Sequence, residues 1–154
     1  MLLDERTFPM AITTAMCNSF KQELLGGTHD LDTDTLKIAL IKDSPTGTYG
    51  AATTNYSDVT GNSDEATGTN YTAGGQALDS ATISLSGSTA FVDFADEVFT
   101  DLTISADGAI IYNSSQGNKA IAVFDFGGTV TSTSGDFTVV FPTADSSNAV
   151  IRIS

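Results

Sequence analysis

The run AIIYNSSQGNKAIAVFDF, residues 109–126, constrains this chain more than any other stretch. Two apolar segments, Ala109-Ile110-Ile111-Tyr112 and Ala120 through Phe126, flank turn-type residues from Ser114 to Asn118. Aromatic and β-branched residues on both sides of such a turn predict a β-hairpin. Both arms are apolar at consecutive positions, so the hairpin belongs where both of its faces are covered, inside a sandwich or at a subunit contact.

The remainder of the chain favours short strands. Only 16% of the 154 residues are charged, while Thr, Ser, Gly and Asn are abundant, a composition that suits strands and turns better than long helices. The length predicts a single domain over 10–154 with a real core, preceded by an arm over 1–9. Met10 ahead of AITTAM reads as an alternative translation start, and the arm is expected to pack on its own domain or on a neighbouring subunit. Six Lys and Arg against nineteen Asp and Glu give a formal charge of -13, which opposes binding to a phosphate backbone. Direct nucleic-acid binding is not expected. No apolar run approaches the roughly 20 residues of a membrane helix, and MLLDERTFPM is too acidic for a secretory signal, so a soluble protein without membrane contact is expected. The single cysteine, Cys17, forms no intramolecular disulfide and reads as a small core hydrophobe.

In chain order, Met16, Phe20 and Leu24 recur every four residues and predict one helix over about 13–25, capped by a threonine and ended by Gly26-Gly27. Asp30, Asp32 and Asp34 then alternate as at the start of a calcium loop, but Thr35 stands where that loop needs glycine and Ile41 where it needs a bidentate glutamate. The segment is expected to be a solvated turn without metal, and His29 a surface turn residue. Leu36, Ile38 and Leu40 alternate with Lys37, Ala39 and Ile41 in the clearest strand, 35–42.

Residues 48–70 have no period and predict a long surface loop with a short helical turn near Tyr56, anchored by Tyr49, Tyr56 and Val59. Gly74-Gly75 suggests close backbone approach. A second hairpin joins residues 81–86 to 89–95 through Gly87-Ser88. Val98, Leu102 and Ile104 begin a strand that an Asp107-Gly108 turn separates from the first hairpin. Gly127-Gly128 and the following Thr/Ser run to Gly135 read as a loop, with strands at 137–141 and 149–153 closing the chain. The expected fold is mainly β, an antiparallel β-sandwich or jelly roll of about eight strands with one N-terminal helix.

No nucleophile elbow, phosphate loop, zinc pattern or dinucleotide fingerprint occurs, and Asp93, Asp96, Glu97 and Asp101 read as a solvated acidic rim rather than an acid/base pair. No catalytic, cofactor or metal residue is assigned. The expected function is therefore non-enzymatic.

Several blocks carry a resemblance: GGTHDLDTDTLKIALI after the helix, NYTAGGQAL, GAIIYN, KAIAVFDFGG and GDFTVVFPTADSSNAVIRI. Together they resemble small virion structural proteins of tailed bacteriophages, of the type that decorates or cements the capsid. The resemblance implies a β-rich, homo-oligomeric virion component, with a trimer favoured. It further implies binding to the major capsid protein on the capsid exterior, after synthesis in the host cytoplasm. The helix, the arm and the 48–70 loop are the expected contact elements, with Phe8, Tyr49 and Tyr56 as aromatic anchors. A tail or neck component is the alternative within virions. A carbohydrate-binding sandwich stacking sugars on Tyr49, Tyr56 or Tyr71 is the alternative outside them.

Overall fold

A computed structural model describes residues 11–79 and 81–154, so the 1–9 arm and the expected anchor Phe8 lie outside the described residues. Period-2 alternation produces most of the elements. Strand β1 is Ala15–Met16, β2 Leu36–Lys42, β3 Gln76–Ala77, β4 Thr82–Ser86, β5 Thr89–Asp93, β6 Glu97–Asn113, β7 Lys119–Val139 and β8 Ile151–Ile153. Helix α1 is Asn18–Leu25 and the five-residue α2 is Ser57–Gly61. All named strand pairs are antiparallel, in one sheet of order β1-β7-β6-β2-β3 and another of order β4-β5-β8. The mainly β, eight-strand architecture expected from the sequence is therefore observed, with two antiparallel sheets sharing one core as in a sandwich. The strand order does not by itself identify a jelly roll.

The β6–β7 hairpin is the spine. Ile110, Ile111, Ile121 and Val123 are fully buried, because β2 pairs along β6 and β1 pairs with β7. Alternate residues of β6 face opposite sides. Asn113 reaches toward His29, which packs on Phe20 of α1 with ring centroids 5.0 Å apart. Tyr112 points the other way and stacks on Tyr56 at 4.5 Å. One face is thus covered by α1 and the other by the 48–70 segment. The small sheet joins the α1 side through Phe124, Phe141 and Phe94, whose rings follow one another at 6.2 and 6.0 Å.

Several local expectations are corrected. The hairpin does not stop at an Asp107-Gly108 turn or a Gly127-Gly128 loop. Its strands run on as a ribbon whose register passes from Gly108↔Asp125 to Ala106↔Val130, a bulge with extra residues on β7. Thr129 Oγ1 donates to Asp107 Oδ1 at 2.6 Å across the bulge. A side chain at Gly108 would overlap the Phe124 carbonyl oxygen, so glycine lets the strands pair closely here. Helix α1 is shorter than the periodicity suggests, because Met16 is drawn into β1 opposite Ala122. Cys17 occupies its N-cap without a side-chain capping bond. Gly27, at φ 72, ends the helix as expected.

Candidate interaction surface

The segment 43–75 is long yet ordered, and two carboxylates explain why. Asp64 is fully buried and accepts from Tyr49 Oη at 2.6 Å and from the amides of Thr46 and Gly47 at 3.0 and 2.7 Å. It also pairs with Lys42 Nζ on β2 at 2.9 Å. Burial alone would raise this carboxyl, but the Tyr49 hydroxyl, the two amides and the ammonium outweigh it and hold the group well below the usual carboxylate range. Burial, then the Asp64 bond, pushes the Tyr49 hydroxyl up to about 12. Glu65 accepts from Tyr56 Oη, from Tyr71 Oη at 3.0 Å and from Gly74 N at 2.6 Å. Leu40 N donates to Tyr71 Oη at 2.9 Å, joining this cluster to β2. Neighbouring acidic residues thus clip the loop to the sheet from within.

That placement corrects the expected contact anchors. Tyr49 is 2% exposed, with its hydroxyl committed to Asp64. Tyr56 is half-buried between Tyr112 and Glu65. These aromatics order the loop; they do not project from it. The same inward bonding engages Tyr71, the third tyrosine named for sugar stacking.

His29 is likewise buried, not a surface residue. Its Nε2 lies 3.0 Å from Glu23 Oε2 and its Nδ1 3.0 Å from Asn113 Nδ2. Asn113 Oδ1 accepts from the amides of Ser115 and Gln116, which leaves the Asn113 amide nitrogen to donate. Nδ1 of His29 is therefore the acceptor and Nε2–H the donor. Lys119 Nζ completes the chain at 2.6 Å from Glu23 Oε1. Burial opposes ionisation of Glu23, but the bonds from Lys119 and His29 lower its carboxyl overall. With both ring nitrogens engaged internally, His29 pins α1, the acidic turn and the hairpin tip together.

In that turn, Asp30 Oδ1 accepts from Asp32 N at 3.1 Å and Asp34 Oδ2 from Asp30 N at 3.0 Å, so two of the alternating carboxylates cap their own backbone. Among the described residues no cluster of three or more His, Cys, Asp or Glu is placed to hold a metal ion. The acidic rim is also partly revised. Asp96 and Asp101 are exposed, whereas Glu97 is buried, and burial followed by the charge of Asp79 raises its carboxyl.

The exposed apolar side chains lie elsewhere. A groove of about 450 Å³ runs between the end of α1, the acidic turn and the small sheet, lined by Leu24, Leu31, Ile83, Phe91 and Ile151 among others. A second groove shares Leu24 and Ile153 with it, so the two form one apolar face. Leu25 (92% exposed), Ile83, Leu85 and Ile153 stand out from the same elements. A separate patch on the β6–β7 ribbon exposes Val98, Val130 and Val140 beside Phe126 and Phe137. Sequence reasoning missed these residues because an outward Ile83 or Leu85 alternates with polar neighbours just as an inward one does. Only Leu25 carried a signal, as the second leucine of a pair in a helix whose apolar stripe needs one.

Comparison of the chain with protein-family models, with curated proteins and with solved structures returns no match.

Proposed function

We propose that this protein is a non-enzymatic structural component of a tailed-phage virion that binds the outside of the capsid shell and stabilises it. The observation that carries the reading is the pair of exposed apolar patches, Leu25–Ile83–Leu85–Ile153 on one and Val98–Val130–Val140 on the other. A cement protein must touch at least two neighbours without itself deforming. Contacts borne mostly on paired strands meet that need, and the internal clipping of 43–75 by Asp64 and Glu65 orders the flanking loop. Binding to the assembled shell and not to its loose subunits stabilises the shell by mass action. The resemblance of the quoted sequence blocks to decoration proteins is what favours the major capsid protein as the partner.

The test is the copy number and radial position of the chain in purified particles, with Val130→Asp and Val140→Asp proteins added to stripped shells. On the order of hundreds of copies at the outer surface, with occupancy lost in the aspartate variants, is the expected result. About six or twelve copies would move the protein to the neck or tail. Absence from particles would overturn the reading altogether.

A further inference from the structure

The groove at the C-terminal end of α1 combines apolar and basic character. It encloses about 360 Å³, with Met16, Leu24, Leu25 and Ile153 forming its apolar lining and Lys21 and Arg152 on its rim. Among the five described cations, Lys42 and Lys119 are in ion pairs. Lys21 donates to Asn18 Oδ1 at 3.3 Å and Arg152 to Ser146 O at 3.1 Å, neither in an ion pair among the described residues, although the charge of Arg152 is felt by Asp145. On a chain of formal charge -13 this pair of cations beside an exposed leucine selects a ligand that is apolar and acidic at adjacent positions.

The chain itself contains such a ligand outside the described residues. Its first five residues, Met1-Leu2-Leu3-Asp4-Glu5, place three apolar side chains directly before two carboxylates. We propose that this segment of one copy docks in the Lys21/Arg152 groove of a second copy, the leucines entering the apolar lining and Asp4 and Glu5 meeting the cations.

Direction favours a second copy over the chain's own groove. Met16 lines the groove and pairs with Ala122, and the chain traced backward follows β7 away from it. Thr14 Oγ1 accepts from Asp125 N, and Ile12 packs against Gly108 beyond that. Five residues of extended chain put Ala11 about 16 Å from Met16. The described chain thus starts on the far side from its own groove, and the ten residues before it, about 30 Å when extended, are long enough to reach a second copy.

The test needs no capsid, so its outcome is independent of the proposed function. Sedimentation equilibrium of the full chain at tens of micromolar should show self-association. Lys21→Glu/Arg152→Glu and Asp4→Lys/Glu5→Lys should each weaken it about tenfold or more, and an equimolar mixture of the two charge-reversed proteins should restore it. A monomeric full chain, or association that both double variants leave unchanged, would overturn the proposal. Failure of the mixture to associate would do the same. Circular dichroism checks folding, and if the groove variant does not fold, Leu2→Ser/Leu3→Ser and the Asp4/Glu5 variant still decide the matter, since they alter only the arm.

Discussion

The Tyr49 hydroxyl donates to the buried Asp64 carboxylate at 2.6 Å, fifteen residues along the chain, and this bond closes the 48–70 segment into a fixed loop. Both partners sit where neither side chain reaches solvent. The carboxylate also holds two amides and Lys42, so its removal leaves several donors without an acceptor.

Asp64→Ala should lower stability by about 3 kcal/mol, discounted for the partial exposure of Lys42, whereas Tyr49→Phe should cost about 1 kcal/mol. Urea unfolding of the two variants measures both. Because the folded-state carboxyl lies below its ordinary value of 3.8, the unfolded chain takes up the proton first. The Asp64 contribution is then complete above that value and is lost as pH falls below it. Asp64→Asn should flatten the acid limb of the stability curve.

Glu97 behaves in the opposite sense. Its carboxyl is raised above 4.5 by burial and by Asp79, so the unfolded chain ionises first as pH rises and the folded state is penalised at neutral pH. Glu97→Gln should raise the thermal midpoint at pH 7, with the gain vanishing as pH falls below 4.5. Thermal melts at pH 7 and pH 4 read the difference; an equal effect at both would refute the electrostatic cause.

Gly75 has φ 67, and a Cβ there would lie 1.8 Å from the carbonyl oxygen of Ile38. Gly75→Ala should therefore push β3 off β2 and cost at least about 2 kcal/mol. Gly87→Ala is the control, since that turn has a similar φ of 60 but open space around it, and should cost only about 1 kcal/mol. Chemical denaturation of both variants separates backbone strain from collision.

Cys17 is fully buried, and burial followed by the charge of Asp58 pushes its thiol up to about 12. Thiol reagents should leave the native protein unlabelled at pH 8 and modify one site per chain in guanidinium. Rapid labelling without denaturant would contradict the burial.

The strands were readable because alternation is a local property. Leu36, Ile38 and Leu40 announce β2, Gly87-Ser88 announces the β4–β5 turn, and the apolar arms of 109–126 announce a hairpin covered on both faces. The Gly74-Gly75 pair announced a close backbone approach, which Gly75 makes against Ile38.

What the sequence by itself determined is thus the β class, the main hairpin and the position of its turns near the tip. Only the tertiary structure decided which polar residues would be buried and which apolar ones left outside. His29 finds Asn113 eighty-four residues away, and Asp107 finds Thr129 across a bulge that local signals read as two separate turns. The physical reason is range. A strand's pattern is set by neighbours two residues apart, but a buried polar group is tolerated only where a distant partner arrives to satisfy it. An exposed Ile83 or Ile153 is defined only by what the completed fold leaves uncovered.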